Sequence, residues 1–254
     1  MALNKDSKAY TIVAALAICL VGSIMVSTAA VVLKPLQQTN RLLDKQVNIL
    51  RVAGLYQPGM DVAAAFRQIE PKLIDYATGE YVSDRDPLTY DQYKAAKEGE
   101  LRVPLSKSED IAGINARARY GTVYLVKNED GSVRSYVLPI HGYGLWSTLY
   151  GFLALEADGN TVRGINFYQH AETPGLGGEV DNPKWRAQWQ GKQVYDEQGQ
   201  VALGLVKGGA GADDIHGVDA LAGATLTSNG VSNLVKFWMS EQGYKAYLDK
   251  MARG

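Results

Sequence analysis

Two stretches decide the fold of this chain: TVYLVKNEDGSVRSYVLPI at residues 122–140 and LYGFLALEADGNTVRGINFYQH at residues 149–170. Each stretch contains two runs rich in β-branched, aromatic and aliphatic residues, separated by a short polar segment. The polar segments, at 128–131 and 158–160, contain the asparagine, aspartate and glycine that tight turns favour. Two strand pairs that are joined by tight turns predict an antiparallel sheet.

A helix is predicted near the C-terminus, after these strands. Apolar residues recur there at i, i+3, i+4 and i+7, namely at Val231, Leu234, Val235 and Trp238. The run VALGLV at residues 201–206 is a further candidate strand. Because strands and helices do not alternate as βαβ units, the pattern predicts an α+β fold, an antiparallel sheet with flanking helices.

The N-terminal part of the chain predicts a membrane anchor. Residues 9–33 (AYTIVAALAICLVGSIMVSTAAVVL) carry no formal charge, and lysines flank them on both sides. As a helix, this segment would be about 37 Å long, enough to cross a hydrocarbon core of about 30 Å. A cleaved signal peptide is the alternative, because residues 27–30 are small, but its apolar region is usually only about 7 to 15 residues long. We therefore predict one transmembrane helix.

The chain is predicted to have four parts. Residues 1–8 form a cytoplasmic tail and residues 9–33 the membrane span, so that the remainder is exported; the lysines on the two sides of the span differ little in number. Residues 34–110 form a juxtamembrane helix and an accessory subdomain. Residues 111–254 form the main domain, which contains the sheet and the C-terminal helix.

Composition and charge exclude several functional classes. The 254 residues include 26 Lys and Arg and 27 Asp and Glu, so the formal net charge is −1 and no nucleic-acid partner is expected. The single cysteine, Cys19, excludes disulfide frameworks, multi-cysteine zinc sites and a cysteine-ligated iron–sulfur cluster. The histidines 141, 170 and 216 lack the i, i+4 spacing of a helical metal site, so no metal site is predicted.

Three stretches are rich in glycine: HGYGLW at 141–146, ETPGLGGEV at 172–180 and KGGAGADD at 207–214. None has the GxGxxG or GxxxxGK[ST] spacing of a Rossmann or P-loop nucleotide site. Turns between strands are the simplest interpretation of each stretch taken alone.

Two further pairs of residues are interpreted structurally. We interpret Glu172 and Glu179 as an edge or loop pair and not as an acid/base couple. No catalytic Ser/His/Asp arrangement is recognisable. Trp185 and Trp189 follow Pro183 at helical spacing, which indicates a packing face or a contact with a neighbouring protein of the same assembly.

The stretch DALAGATLTS at residues 219–228 directly precedes the C-terminal helix. Its small residues allow another group to approach the backbone closely, and the first turn of a helix offers unpaired N–H donors that stabilise an anionic phosphate. Alternatively, Thr227 or Ser228 is simply the N-cap and the Gly-Ala run is a tight entry turn. The physical chemistry alone leaves both interpretations open.

The pattern D-x-x-x-G-A-T-x-[ST] before a helix resembles the flavinylation motif of the FMN-binding domains in the sodium-translocating NADH:quinone oxidoreductases and the related Rnf complexes. HGYGLW, ETPGLGGEV, HGVDALAGATLTSNGV, the LLDKQ stretch at 42–46 and the anchor that ends in VSTAAV resemble the NqrC family of the sodium pump over essentially the full length. The resemblance implies that FMN is joined through its phosphate to the hydroxyl of Thr225, by a flavin transferase that uses FAD and a divalent metal ion. The family usually has Ser or Thr where this chain has Ala222, which removes a hydroxyl but not the acceptor.

The resemblance also indicates which residues surround the cofactor. A flavin ring needs apolar walls and a few directed donors. The candidate walls are Leu145, Trp146 and Leu176. The candidate donors are Thr173, Lys207 and the backbone N–H groups from Gly175 to Gly178. The motif itself contributes Asp219, Gly223, Ala224 and Thr227 beside Thr225. Trp146 fits a core position equally well, and Lys207 a solvated loop.

The resemblance implies an electron-carrying subunit of a membrane NADH:quinone oxidoreductase that exports sodium ions. Such a chain holds one FMN, binds no NADH itself, has no catalytic side chain, and lies in the inner membrane with its C-terminal domain in the periplasm. Its expected partners are the other subunits, the flavin transferase and the lipid bilayer. The alternatives are the homologous FMN-carrying protein RnfG of an Rnf complex and, from a different class, a membrane-anchored adaptor domain.

Overall fold

The computed structural model describes residues 7–252, and the chain divides into two compact units, residues 1–46 and 47–254. Residues 1–6, which make up most of the predicted cytoplasmic tail, lie outside the described residues. The two units are described separately below.

In the first unit, the described residues from Lys8 onward belong to one helix, α1, which spans Lys8–Val52. Its apolar side chains between residues 12 and 33 are exposed, and it is long and apolar enough to cross a membrane. The predicted span and the predicted juxtamembrane helix are therefore parts of one helix. Pro35 lies inside it, where its ring removes one backbone hydrogen bond without ending the helix.

The second unit is built on a six-stranded sheet with the order β2-β1-β5-β6-β7-β8, in which all neighbouring strands are antiparallel. Its strands are β1 (Ile69–Asp75), β2 (Tyr81–Val82), β5 (Tyr120–Lys127), β6 (Val133–Tyr143), β7 (Thr148–Glu156) and β8 (Val162–Gln169). The two predicted hairpins are present as β5–β6 and β7–β8. The α+β fold with an antiparallel sheet is confirmed.

The domain boundary predicted at residue 110 differs from the structure. Strand β1 lies within the predicted accessory subdomain, yet it pairs with β5 over seven residues, with Leu73 opposite Thr122. The sheet therefore includes both sides of the predicted boundary, and the division of the chain lies after residue 46. The pairing was not predictable because it joins segments that are far apart in the sequence.

The remaining elements are short, apart from one long helix. They are α2 (Val62–Phe66), α3 (Gln92–Ala95), β3 (Arg102–Pro104), β4 (Ala116–Ala118), α4 (Pro183–Ala187), β9 (Gly204–Val206), β10 (Gly217–Asp219), α5 (Thr225–Met239) and α6 (Lys245–Met251). Strands β9 and β10 form a parallel pair. The candidate strand predicted at residues 201–206 includes β9, whereas β10 was not predicted from the sequence.

Both faces of the sheet are buried, because successive side chains of a strand point to opposite faces. On β7, Leu153 and Leu155 pack into the larger core, to which α4, α5 and α6 contribute. Phe152 and Ala154 face the other way, into a smaller core that includes Leu50 at the end of α1. Helix α5 therefore lies across one face of the sheet, and its N-terminus is held near one end of the strands.

Candidate functional site

The motif at 219–228 forms the entry into helix α5. Gly223 has a φ of +71°, a conformation that residues with a side chain rarely adopt. The helix begins at Thr225, whose side chain is exposed, and Ala224 occupies the N-cap position without a side-chain hydrogen bond. The first N–H groups of a helix have no acceptor within the helix, so Thr225 presents its hydroxyl beside free donors and the positive end of the helix dipole.

The interpretation of Thr227 or Ser228 as an N-cap is wrong. Both residues lie inside the first turns of α5 and are buried. The hydroxyl of Ser228 accepts a hydrogen bond from the N–H of Leu221 at 3.0 Å, which fixes the turn before the helix. The hydroxyl of Thr227 donates to Oε2 of Glu172 at 2.6 Å. The two hydroxyls therefore join the motif to its surroundings.

Glu172 is the central polar residue of this region, a role that was not predicted from the sequence. Its Oε1 accepts hydrogen bonds from the N–H groups of Leu145 at 3.1 Å and Trp146 at 3.0 Å, with the N–H of Ser147 more distant at 3.4 Å. Its Oε2 accepts from Thr227. A single side chain that is 5 % exposed thus joins the β6–β7 turn, the loop after β8 and the first turn of α5.

Hydrogen bonding keeps Glu172 ionised. Burial acts to raise the pKa of its carboxyl group, but the hydrogen bonds from Thr227 and from the backbone of the β6–β7 turn outweigh burial and lower the pKa below its usual value. The carboxylate is therefore a fixed negative charge at neutral pH. Glu179 accepts a hydrogen bond from Nδ2 of Asn182 at 2.7 Å.

Several glycines of the motifs make room for this carboxylate. A Cβ atom on Gly144 would lie 2.6 Å from Oε1 of Glu172, and a Cβ on Gly177 would lie 2.5 Å from Oγ1 of Thr227 and 2.8 Å from Oε2 of Glu172. All three distances are too short for non-bonded atoms. The glycines of HGYGLW and ETPGLGG therefore do more than form turns: they let two chain segments approach the same carboxylate.

Exposed apolar side chains surround the start of α5. Trp146 is 65 % exposed, and Leu145, Leu176 and Leu226 are also exposed. Leu176 lies beside the motif, because a Cβ on Gly223 would be 3.1 Å from its Cδ2 atom. Trp146 is therefore not a core residue, and its exposed side chain and that of Leu176 are apolar groups of the kind that line a site for a ring system.

Of the remaining candidate residues, Thr173 and Asp219 hold nearby loops and Lys207 is exposed. The carbonyl oxygen of Thr173 accepts from the N–H groups of Leu176 and Gly178, which closes the glycine loop. Lys207 is exposed on the turn after β9. Oδ1 of Asp219 accepts from the N–H of Ala210 at 2.8 Å, so the first residue of the motif holds the loop that begins at Lys207.

The histidines and tryptophans have structural positions. Among residues 7–252, no three His, Cys, Asp or Glu side chains lie close enough together to hold a metal ion. His141 is buried in an aromatic cluster, and burial lowers its pKa to about 3. Trp185 and Trp189 are buried, and Nε1 of Trp185 donates to the carbonyl oxygen of Asp219 at 2.8 Å. The predicted packing face is present.

The candidate site residues were chosen from motifs, whereas the contacts among them were not predicted. Glu172 connects Leu145 and Trp146 to Thr227, and Gly223 lies beside Leu176. Glu172 was within a quoted stretch, but no local pattern distinguishes a buried carboxylate from an exposed one. The sequence contained one weak indication of this role: glycines, among them Gly144 and Gly177, lie where the two loops contact Glu172.

Comparison with known proteins agrees with these observations. The FMN-binding domain family matches residues 144–240. The C subunit of the Na(+)-translocating NADH-quinone reductase of Pseudomonas aeruginosa is 53 % identical, and the match covers 99 % of this chain and 98 % of that protein. The protein of the same name from Yersinia pestis is 50 % identical, over 99 % of this chain and 96 % of its own length.

A solved structure shows the same fold. The crystal structure of Shewanella oneidensis NqrC superimposes with a TM-score of 0.78 at 38 % identity, covering 83 % of this chain and 97 % of that one. The identities decide in favour of NqrC over the Rnf protein, and the FMN-binding domain match decides against an adaptor domain. The chain belongs to the NqrC family, the C subunits of the Na(+)-translocating NADH-quinone reductases.

Proposed function

We propose that the chain carries FMN covalently on Thr225 and relays electrons between other redox centres of the membrane complex. The observation that supports the proposal most directly is the placement of Thr225: an exposed hydroxyl at the first position of a helix, two residues after a glycine with positive φ. The helix N-terminus stabilises a phosphate there, and the exposed side chains of Trp146 and Leu176 are available to the ring.

The attachment is a phosphoryl transfer without redox change. In the flavin transferase, the oxygen of Thr225 attacks the FMN phosphorus of FAD, the bond to the bridging oxygen breaks, AMP leaves, and the hydroxyl proton passes to a base. Such a reaction needs an acceptor oxygen that is accessible, and Thr225 is exposed whereas Thr227 and Ser228 are buried. The three neighbouring hydroxyl residues thus differ in access.

When bound, FMN supplies the ability to accept and give electrons. The side chains of this chain would hold the ring and exclude water from one side of it, while Lys207 would offer a positive charge that favours a reduced, anionic ring. The covalent bond lies at the phosphate, far from the ring, so it retains the cofactor without blocking the redox edge. NADH is bound elsewhere in the complex under this proposal.

Topology forms part of the same proposal. Helix α1 anchors the chain in the inner membrane as a single span, and the domain that begins at residue 47 lies in the periplasm, where the transferase meets it. A reporter that is active only outside the cytoplasm, fused to the C-terminus, is expected to be active. Activity of a cytoplasmic reporter alone would show the opposite orientation.

The attachment is tested by substitution at Thr225. Coexpression with the transferase should give a band that shows flavin fluorescence on a denaturing gel, and mass spectrometry should place FMN on the peptide of residues 208–236. Thr225→Val keeps the branched shape and should abolish the fluorescence, whereas Thr225→Ser keeps an oxygen and should retain part of it. Thr227→Val is the matched control, because its hydroxyl is buried. FMN on Thr227 or Ser228 would refute the assignment.

The ring position is tested separately. Trp146→Ala and Leu176→Ala each remove an exposed apolar side chain beside the motif without touching the acceptor hydroxyl. Both variants should keep the covalent flavin and change its visible absorption or its midpoint potential. An unchanged spectrum and potential in both variants would place the ring elsewhere.

A further inference from the structure

We infer that Glu172 is a positioning residue for the flavin: it locks the ring-wall loop of Leu145 and Trp146 onto the first turn of the attachment helix. The inference rests on the proposed function for the position of the flavin. It adds a residue that belongs neither to the attachment motif nor to the candidate ring contacts, and that acts through other residues.

The first argument is geometric. One carboxylate oxygen accepts from the N–H groups of Leu145 and Trp146, at 3.1 and 3.0 Å, and the other accepts from Thr227 at 2.6 Å. Leu145 and Trp146 are exposed side chains on a turn, so packing does not hold them. A hydrogen bond from the N–H of Gly144 to the carbonyl oxygen of Ser147 at 2.8 Å closes the turn itself. The bonds from Leu145 and Trp146 to Glu172 then attach this turn to the first turn of α5.

The second argument comes from the space around the carboxylate. Gly144 and Gly177 approach it so closely that a Cβ on either residue would collide with it, at 2.6 and 2.8 Å. Gly230, further along α5, makes a similar approach, since its Cβ would be 2.5 Å from the carbonyl oxygen of Tyr143. The helix and the loop are thus in close contact, and Glu172 is the charged group at that contact.

The third argument concerns charge. Glu172 accepts four hydrogen bonds and carries its negative charge in a buried position beside the proposed ring site. A fixed negative charge opposes the uptake of electrons by a nearby group. Glu172 therefore has two separable effects on the flavin: it fixes the geometry of the wall, and it lowers the midpoint potential.

The geometric part is tested on the full-length protein made without the transferase. Glu172→Ala should increase amide hydrogen exchange at Leu145, Trp146 and Ser147 at least tenfold, while exchange in the core of strands β6 and β7 stays unchanged, which shows that the variant is folded. Glu179→Ala is the matched control on the same loop and should leave the three amides unchanged. Unchanged exchange in Glu172→Ala would overturn the inference, whether or not the protein binds flavin.

The link to the flavin is tested on protein coexpressed with the transferase. Glu172→Gln keeps the size of the side chain and removes its charge, so the covalent flavin should be retained and its midpoint potential should rise. Thr227→Val breaks the bond to the helix and keeps the charge, so it should change the visible circular dichroism of the flavin more than its potential; Thr227→Ser should restore the parent spectrum.

The outcomes separate the two proposals. A parent protein without covalent flavin refutes the proposed function, and with it the link of Glu172 to the flavin, while the exchange result still decides whether Glu172 holds the loop. A flavinylated parent whose spectrum and potential are unaffected by both Glu172→Gln and Thr227→Val overturns the present inference alone. Loss of attachment in Glu172→Gln, with the fold intact, would also overturn it, because Glu172 would then act on the attachment step.

Discussion

Two buried titratable residues, His141 and Glu172, belong to neighbouring motifs, but one is neutral and the other is charged. His141 lies among aromatic rings, stacked on Tyr150 at a centroid distance of 5.7 Å, and burial lowers its pKa to about 3, so it is neutral at physiological pH. Glu172 is also buried by its accessible surface, at 5 % exposure, but its hydrogen bonds lower its pKa and keep it charged.

The difference shows that burial alone does not decide charge. An aromatic neighbourhood supplies no strong acceptors for an imidazolium, whereas three N–H groups and a hydroxyl converge on the carboxylate of Glu172. The stretch HGYGLW contributes to both environments: its first residue belongs to the core at the end of β6, and its last residues belong to the candidate flavin site. One short motif thus contains two physically unrelated positions.

Removal of the carboxylate should have the largest effect on stability. Glu172→Ala leaves its donors without an acceptor, and loss of hydrogen bonds to a charged group together with partial rehydration should cost about 3 kcal/mol. Urea unfolding of the full-length protein in detergent, followed by tryptophan fluorescence, measures this cost. Glu179→Ala, which loses one bond to Asn182, should stay within about 0.5 kcal/mol; equal costs for the two variants would contradict the distinction.

Filling the space beside the carboxylate should have a smaller effect. Gly177→Ala places a Cβ 2.5 Å from the hydroxyl of Thr227, so the segments must separate, at a cost of about 2 kcal/mol. Gly211→Ala serves as the control, since a Cβ there meets nothing within 4 Å. The same unfolding measurement applies, and a neutral Gly177→Ala would show that the close approach is not required.

The neutral state of His141 should make the free energy of unfolding depend on pH. In the unfolded chain the imidazole gains a proton below a pKa of about 6.5, while folded His141 stays neutral down to a pKa of about 3, so folding stability falls as the pH is lowered between these values. The slope amounts to about 1.4 kcal/mol per pH unit. His141→Phe keeps a ring and removes the proton site, so its stability should fall by that much less between about pH 5.5 and about pH 4.5. Parallel pH profiles for the two proteins would refute the neutral state.

The smallest effect is expected at the entry to α5. Ser228→Ala removes the acceptor of the Leu221 N–H, which is worth about 1 kcal/mol. Asn229→Ala, at the next and exposed position of the same helix, should change stability by less than about 0.5 kcal/mol. If the two variants prove equal, the hydroxyl of Ser228 contributes nothing to the turn.

Local patterns predicted the local features of the fold. The hairpins β5–β6 and β7–β8 follow from alternating apolar residues and from turn residues such as Gly131 and Gly159, whose φ values are +84° and +69°. Likewise, the apolar run at 9–33 predicted the N-terminal helix. Periodicity and turn chemistry act over a few residues, and a single sequence displays them directly.

Long-range pairings were not predictable in the same way. Strand β1 joins β5, the parallel strands β9 and β10 are three residues each, and Thr227 donates to a residue 55 positions away. A cap at Thr227 or Ser228 was one of the two interpretations left open, because capping is the common local use of a hydroxyl residue before a helix. The actual partner of Thr227 lies on another element, and only the folded structure brings the two together.

The order of elements along the chain has a consequence for maturation. Strands β5 to β8 form consecutive hairpins, so this part of the sheet can form from neighbouring segments as the chain is synthesised. Strand β1, in contrast, must wait for β5 across the segment 76–119. The proposed attachment residue, Thr225, comes later still, on helix α5, which packs against β6. The proposed acceptor is therefore synthesised after all strands of the six-stranded sheet, and a chain truncated after β8 would lack it.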